Sequence, residues 1–241
     1  KLAFNASFFI SQKMISIEEK LKNPVWYSLQ ETHKKFLVTH NGVQFYHPDI
    51  CVFGSFYDTS KTSMALNEYG KTVEKFFLVS ENQIPVIDTN TTVLEKKIAG
   101  CQMVLENLVD IEITEEIVAL TEKHINEIYD LIWMVMPGFY RKRGFEMGEF
   151  FGIFKNEKLV AISGQRMQAN DFIEVSSVVT HPDHTRKGYA KQLITHTTKA
   201  ILKENKLPIL HTNKGNVAIS LYEKIGYKLT RDMNWWLYYR K

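Results

Sequence analysis

A chain of 241 residues with 30 lysines and arginines against 27 aspartates and glutamates carries a net charge of +3, too small to hold a protein on nucleic acid by a basic field alone. With 44% hydrophobic and 24% charged residues, the composition is that of a globular protein and excludes a disordered or fibrous chain. Cys51 and Cys101 are too few for a disulfide framework or a cysteine-based zinc site, and they fit a reducing, cytoplasmic setting. No apolar run approaches the ~18 residues of a membrane span.

The first residues of the chain admit two interpretations. Residues 1–13 precede the first methionine, Met14, and are predicted to be an extension, either upstream of the natural start or added to it. The alternative is an ordinary first strand. A secretory signal peptide is not favoured, because Asn5 interrupts the apolar stretch and no small-residue cleavage site follows before Gln12.

Residues 14–112 show mixed helix and strand signals and are predicted to form a small N-terminal α/β domain. Asn23-Pro24 indicates a helix start, since proline suits the first helical turn. Asn41-Gly42, between two apolar runs, is typical of a type I′ hairpin turn. We place the domain boundary where the chain then turns acidic.

Residues 113–241 follow a regular alternation of strand and helix signals. Strands are predicted at 117–120, 150–154, 159–163, 172–180 and 208–211, helices at 188–202 and 216–225, and aromatic strands from Tyr227 onward. Thr121 is placed at the N-cap of a further helix that ends at Pro137-Gly138. The order β-α-β-β-β-α-β-α-β-β predicts an α/β (α+β) fold, with a mixed sheet and helices on its faces.

The most informative segment is the loop between strand 172–180 and the helix that follows it. Arg186 and Lys187 bring two cations to a helix start whose first backbone N–H groups have no helical acceptor. Gly188 lets a phosphate approach the backbone, because it has no Cβ. The residues therefore predict a diphosphate site, and the alternative is a solvated basic loop that caps the helix. The spacing matches neither a Walker loop nor the G-x-G-x-x-G fingerprint.

Two motifs in this half resemble those of the GNAT superfamily of N-acyltransferases. Residues 185–190, Thr-Arg-Lys-Gly-Tyr-Ala, resemble its acetyl-CoA-binding pattern Arg/Gln-x-x-Gly-x-Gly/Ala, from which Thr185 departs at the first position. Residues 216–227, with Asn, Ala, Leu-Tyr and Gly-Tyr in that order, resemble the later signature of the family. The resemblance covers residues 115–241.

The resemblance implies a GNAT-like mixed central sheet, acetyl-CoA as cosubstrate and no metal. Residues 23–26 and the turn at 136–139 further resemble a bacterial subgroup that carries an extra N-terminal α/β domain. In the family, the strand before the motif loop separates from its neighbour, and its exposed backbone binds pantetheine. The residues carried over are Val178, Val179 and Thr180 for pantetheine, Thr185, Arg186, Lys187, Gly188, Tyr189 and Ala190 for pyrophosphate, and Asn216 for a pantetheine carbonyl or the phosphate arm. For Asn216, a helix N-cap is the alternative.

Two residues are candidates for catalysis. Glu174 is a carboxylate within an apolar strand, and it precedes Gly188 by 14 residues, as the general base does in the histone-acetylating branch of the superfamily. Partial burial is expected to raise its pKa toward neutrality. The alternative is a glutamate at a sheet edge that pairs with Arg166 or another cation. The resemblance implies that Tyr222 donates to the departing CoA sulfur, and the alternative is a tyrosine packed on the sheet.

Three other clusters have structural roles as the first interpretation. His181 and His184 lack a third metal ligand at suitable spacing, so they are interpreted as polar loop residues. The basic run Arg141-Lys142-Arg143 is predicted to be solvated, and the alternative is that it faces an acidic acceptor or the CoA 3′-phosphate. Trp235 and Trp236 face opposite sides of a strand, so at least one is in the core, and the other can line the acceptor cleft or a dimer interface.

The sequence thus predicts an acyl-CoA N-acyltransferase that transfers an acetyl group directly to a primary amine of a small molecule or peptide in a ternary complex. A non-catalytic CoA-binding sensor is the alternative, motivated by Thr185. No nucleic acid or membrane partner is expected, a homodimer stays open, and the expected location is the cytoplasm.

Overall fold

The computed structural model describes residues 15–241, so the interpretation of residues 1–13 lies outside the described part. The strands are β1 (Leu37–His40), β2 (Val43–Tyr46), β3 (Phe53–Ser55), β4 (Lys75–Ser80), β5 (Thr92–Leu105), β6 (Val118–Ala119), β7 (Phe150–Lys155), β8 (Lys158–Gln168), β9 (Phe172–Thr180), β10 (Leu207–Asn213) and β11 (Tyr227–Arg240). The α-helices are α1 (Ile17–Lys22), α2 (Pro24–Gln30), α3 (Thr62–Gly70), α4 (Ile125–Val135), α5 (Tyr189–Lys203) and α6 (Ile219–Ile225).

The strands of the described chain join one sheet, in the order β1-β2-β3-β4-β11-β5-β10-β9-β8-β7-β6. Neighbouring strands run antiparallel except in the pairs β3–β4 and β9–β10. β5 lies between β10 and β11 and is paired with both. This mixed sheet confirms the predicted fold class.

Helices α4 and α5 cover opposite faces of the sheet. Phe150 and Phe151 are neighbours on β7, so their side chains point to opposite faces. Phe150 packs in a cluster with Ile132 of α4, and Phe151 packs in a cluster with Leu193 of α5. The alternation of one strand therefore positions both helices, and α5 carries the motif loop at its N-terminus.

The largest apolar core spans both halves of the chain. It gathers side chains from α1 to α3 and β1 to β4, and it also includes Phe172 of β9 and Met233 and Trp235 of β11. The division into residues 14–112 and 113–241 stays a prediction. In the structure, β5 from the first part lies between two strands of the second.

Two local sequence signals are confirmed, one for a helix start and one for a hairpin turn. The side chain of Asn23 accepts a hydrogen bond from the N–H of Trp26 and caps α2, which begins at Pro24. Asn41 and Gly42 both have positive φ and turn the chain from β1 into β2. Among the described residues, no helix combines the length and the apolar sequence needed to cross a membrane.

One predicted helix is shorter than expected. The helix predicted at 216–225 begins at Ile219, because Asn216 forms a turn before it. The Asn216 Oδ1 accepts a hydrogen bond from the N–H of Ala218 at 2.9 Å, an arrangement that competes with helix. The helix ends as expected at Gly226, which is left-handed with φ 111°.

Candidate active site

Strands β9 and β10 separate after a short paired stretch. Their parallel pairing ends at Ile209 and Glu174. Just beyond this point β9 bulges, because Ser177 and Val178 together lie opposite Ser163 of β8. Ser177 is left-handed with φ 51°, which is uncommon for a residue other than glycine. Backbone groups of β9 therefore lack ladder partners beside the gap that β10 leaves.

A cleft of about 550 Å³ opens at this gap and extends to the N-terminal half. Its strand and helix side includes Ser176, Ser177, Val178, Thr212, Asn216 and Tyr222. Its other wall is mostly apolar and includes Ile50, Phe53, Phe77, Ile98, Phe139 and Trp235. The cleft thus joins the separated strands to residues that carry no recognisable motif in the sequence.

The three strand residues predicted to bind pantetheine lie in different surroundings. Val178 lines the cleft. Val179 is buried in the core under α4, so only its backbone is available to a ligand. Thr180 lines a second cavity, of about 300 Å³, at the start of α5. Leu221 lines both cavities, so the two adjoin.

The second cavity is built around Gly188. This residue is left-handed with φ 79°, and a Cβ placed on it would meet only the Gln192 Nε2, at 3.9 Å. The first hydrogen bond of α5 runs from the N–H of Gln192 to the carbonyl of Gly188. The N–H groups of Tyr189, Ala190 and Lys191 therefore have no acceptor within the helix. An open glycine beside unpaired amides can hold a phosphate group.

The side chains of the motif loop take different roles. Arg186 and Lys187 are exposed, and no ion pair joins either to another described residue. The Thr185 hydroxyl donates to the carbonyl of Pro182 at 3.2 Å and so closes the loop on itself. Tyr189 is buried and packs in the core beside α5. The loop therefore offers backbone and two exposed cations to an anion, while two of its side chains hold its shape.

Tyr222 and Asn216 both line the large cleft. Burial raises the pKa of Tyr222 above its ordinary value of 10, so the hydroxyl stays protonated at neutral pH and can donate a hydrogen bond. The Asn216 amide donates to the Thr212 hydroxyl at 2.8 Å and accepts from the N–H of Ala218. The Asn216 side chain is thus occupied in the turn before α6, but the N-cap of this helix is Ala218 and not Asn216.

Glu174 is fully buried, and both of its carboxylate oxygens are hydrogen-bonded. Its two carboxylate oxygens accept hydrogen bonds from the Nε and Nη2 of Arg166, each at 2.7 Å. The backbone N–H of Met167 and the ring of His211 add further contacts, at 3.3 and 2.8 Å. β8 bulges at Arg166 and Met167, so both face Glu174 from the neighbouring strand.

The expectation of a raised pKa for Glu174 is wrong. Burial alone would raise it, but the charge of Arg166 and the hydrogen bonds from Arg166 and His211 outweigh burial and lower the pKa to about 2. The expected partner, Arg166, is present, although β9 is an inner strand of the sheet and not its edge. A saturated carboxylate with so low a pKa is a poor proton acceptor at neutral pH, so the geometry does not favour a general base here.

Both ring nitrogens of His211 are hydrogen-bonded to buried side chains. The Gln102 amide donates to the carbonyl of Leu21 at 2.9 Å, and this fixes its nitrogen toward the His211 Nε2 at 3.0 Å. The Nε2 must then accept, which leaves the proton on Nδ1 to donate to Glu174. The chain Gln102–His211–Glu174–Arg166 is a continuous buried polar network under the cleft.

Several groups at the cleft had no signal in the sequence or a different interpretation. Arg141, predicted to be solvated, lines the cleft. Trp235 also lines it, with its ring edge-to-face on His211, while Trp236 is buried elsewhere and donates to the Ser80 hydroxyl. The apolar wall from the N-terminal half is assembled by tertiary packing, and no local pattern marks it.

The loop histidines have local partners. The His181 Nδ1 accepts a hydrogen bond from the N–H of Asp183 at 3.2 Å. The rings of His181 and His184 meet edge-to-face, with centroids 5.7 Å apart. Between residues 15 and 241, no group of three or more histidine, cysteine, aspartate or glutamate side chains is placed to hold a metal ion.

Comparisons with known proteins agree with this geometry. Residues 150–237 match the family model described as FR47-like protein. A protein from Novosphingobium aromaticivorans assigned to the GNAT family of acetyltransferases superposes with a TM-score of 0.83 at 26% identity, over 92% of this chain and 98% of its own. No curated protein matches the chain in sequence.

Two further solved structures share the fold at lower identity. A GCN5-related N-acetyltransferase-like protein from Streptococcus suis has a TM-score of 0.64 at 13% identity, over 92% of this chain and 96% of its own. A GCN5-related N-acetyltransferase from Kribbella flavida has a TM-score of 0.60 at 13% identity, over 88% and 93%. The chain therefore has the fold of these acetyltransferases, and its residues 150–237 are similar to the FR47-like family.

Proposed function

We propose that this protein is an N-acetyltransferase that moves an acetyl group from acetyl-CoA to a primary amine, in one step within a ternary complex. The observation that carries the proposal is the continuity between the two cavities. The Gly188 helix start suits a diphosphate, and the cavity there adjoins, at Leu221, a cleft of about 550 Å³ at the gap between β9 and β10, a volume typical of ligand pockets.

The chain's own groups fit the phosphate end of such a cosubstrate. Unpaired amides at the start of α5 meet the charge of a diphosphate, and Arg186 and Lys187 add two cations to the same opening. Pantetheine amides would pair with the free backbone of β9 around Val178, because β10 has moved away there. The bulge at Ser177 directs this backbone into the cleft, where an N–H group can polarise a thioester carbonyl.

In the proposed reaction the amine nitrogen bonds to the carbonyl carbon and the carbon–sulfur bond breaks. Tyr222 protonates the leaving thiolate, for which its raised pKa keeps the hydroxyl proton in place. The acceptor attacks as a neutral amine, and its excess proton passes to water at the cleft mouth. Glu174 acts as a positioning residue, which holds Arg166 and His211 beneath the cleft. The protein would work in the cytoplasm, where acetyl-CoA is available.

The test is acetyl-CoA turnover with a panel of primary amines, followed by the release of free CoA thiol, alongside calorimetric titration of CoA. We expect CoA binding and thiol release that depends on the amine. CoA binding without turnover of any amine would favour the non-catalytic sensor, which the Thr185 departure motivates. Absence of CoA binding would reject both functions.

A further inference from the structure

The charged side chains that line the large cleft are cationic. Arg141 and Arg166 line it, and no aspartate, glutamate or lysine is among the described residues that form its walls. The one carboxylate close by, Glu174, is fully buried and committed to Arg166. A simple alkyl ammonium ion would therefore enter the cleft without a counter-charge.

Arg166 retains hydrogen-bonding capacity on the cleft side. Its Nε and Nη2 donate to Glu174, and its Nη1 makes no hydrogen bond to a described residue. The side chain keeps 25% of its surface exposed, and its guanidinium lies 4.8 Å from the centre of the Phe53 ring, which fixes its plane. Arg141 forms no ion pair with any described carboxylate. Two arginines thus present free donors to the same space, a geometry suited to a carboxylate.

Tyr140 lines the same wall, with its hydroxyl turned into the protein. Its hydroxyl oxygen is buried, has no hydrogen-bond partner among the described residues, and belongs to a side chain that lines the cleft. Burial raises the pKa of Tyr140, so the hydroxyl stays protonated and able to donate. A buried donor without a partner is rare in native proteins.

We propose that the acceptor is a small amino acid-like molecule that carries its amine beside a carboxylate on an apolar body. Arg141 and the free edge of Arg166 would hold the carboxylate, while Phe53, Phe77 and Trp235 surround the apolar body. The same positive field disfavours the ammonium form of the bound amine and so favours the neutral form that attacks. This inference rests on the proposed acetyl transfer and names its acceptor class.

The experiment compares each amino acid with the amine that lacks only its carboxylate. Phenylalanine is paired with phenethylamine and leucine with isoamylamine, and kcat/KM is measured with acetyl-CoA. We expect the amino acid to be preferred by about tenfold or more, since a charge-assisted contact to carboxylate is lost in its partner. In Arg141→Gln the ratio of the two kcat/KM values should fall severalfold, because only the amino acid loses a carboxylate contact. Arg143→Gln is the matched control, because Arg143 binds the exposed Glu146 instead of the cleft.

A binding measurement separates this inference from the proposed function. N-acetylphenylalanine and N-acetylphenethylamine are titrated by calorimetry into the protein with CoA present. Tighter binding of N-acetylphenylalanine, weakened by Arg141→Gln and not by Arg143→Gln, supports the carboxylate site even if no amine is acetylated. Equal binding of both, tighter binding of N-acetylphenethylamine, or no binding of either overturns it, as does equal or better turnover of phenethylamine.

Discussion

Arg166 on β8 grips Glu174 on β9 through two parallel hydrogen bonds of 2.7 Å, and neither oxygen of this carboxylate reaches the cleft. A bulge in β8 makes these hydrogen bonds possible, since it turns Arg166 toward the next strand. The pair therefore fixes the floor of the cleft and leaves the other edge of the guanidinium for a ligand.

Removing Arg166 should destabilise the fold strongly. Arg166→Ala leaves a buried negative charge without its main partner, a change that typically costs about 3–5 kcal/mol of unfolding free energy. The measurement is urea unfolding at neutral pH. Arg143→Ala, which breaks an exposed pair with Glu146, is the control and should cost under about 1 kcal/mol. Equal effects of the two variants would contradict a buried, structural ion pair.

The pH dependence of catalysis should not report Glu174. Its pKa of about 2 places the carboxylate fully ionised across the neutral range. If kcat/KM falls toward low pH, the fall should reflect protonation of the acceptor amine, with a midpoint that moves when the acceptor changes. Glu174→Gln should lower activity and stability, but the fall of kcat/KM toward low pH should keep the same midpoint. If kcat/KM of Glu174→Gln no longer fell toward low pH, Glu174 would be the general base after all.

His33 should make stability depend on pH between about 4 and 6.5. Burial lowers the pKa of His33 to about 4 from its ordinary 6.5, while its Nε2–H donates to the carbonyl of Met147. The unfolded chain binds a proton in this window and the folded chain does not, so stability is full above pH 6.5 and falls as pH drops toward 4. The loss at the lower end is on the order of 3 kcal/mol.

Unfolding free energies measured from pH 4 to 7 test this. His33→Gln should flatten the dependence in that window, and His47→Gln, at an exposed position, should leave it unchanged. The same slope in His33→Gln as in the original chain would show that other groups cause it.

Tyr222→Phe should slow acetyl transfer with little effect on CoA affinity. The substitution keeps the ring and its packing and removes only the hydroxyl, for which no described residue is an acceptor. General acid catalysis contributes ~10²–10⁴-fold, and water can replace part of it, so we expect a loss near the lower end in both kcat and kcat/KM. An unchanged kcat, where chemistry limits the rate, would leave Tyr222 as a packing residue.

Gly188→Ala should weaken CoA binding by roughly tenfold, because a Cβ would stand where a phosphate must approach the amides. Gly42→Ala is a matched control: both glycines have φ close to 80°, at 79° and 77°, so both variants carry similar backbone strain. Gly42 lies in the β1–β2 turn, away from both cavities. Calorimetric titration with CoA should show weaker binding in Gly188→Ala than in Gly42→Ala. Equal CoA affinities of the two variants would show that no phosphate binds at Gly188.

The sequence predicts those parts of the site that depend on local chemistry. The Gly188 loop depends on short-range features, namely a missing Cβ and helix-start amides, and Tyr222 lies on a helix that the sequence predicts. The turn at Asn216 is not predicted, since the sequence places this residue in the helix. The burial of Glu174 also follows from its apolar neighbours on β9. Each of the predicted features is decided within a few residues of the chain.

The rest depends on which strands become neighbours. The low pKa of Glu174 comes from Arg166 across a bulge and from His211 on β10, and no spacing along the chain encodes either contact. The cleft wall at Phe53 and Phe77 is formed because β4 pairs with β11, at a sequence separation of well over a hundred residues. Bulges such as that at Ser177 depend on the register with β8, which an isolated strand pattern does not show.

The placement of β5 also bears on how the protein is made. During synthesis β4 and β5 leave the ribosome long before β10 and β11, the two strands between which β5 becomes hydrogen-bonded. Until residues 227–240 emerge, β5 has no partner on that side and β4 has one open edge, the kind of surface that pairs with other chains. Closure of the sheet around β5 therefore waits for β11 and is expected to be slow, and the nascent chain is a candidate for chaperone protection until β11 closes the sheet.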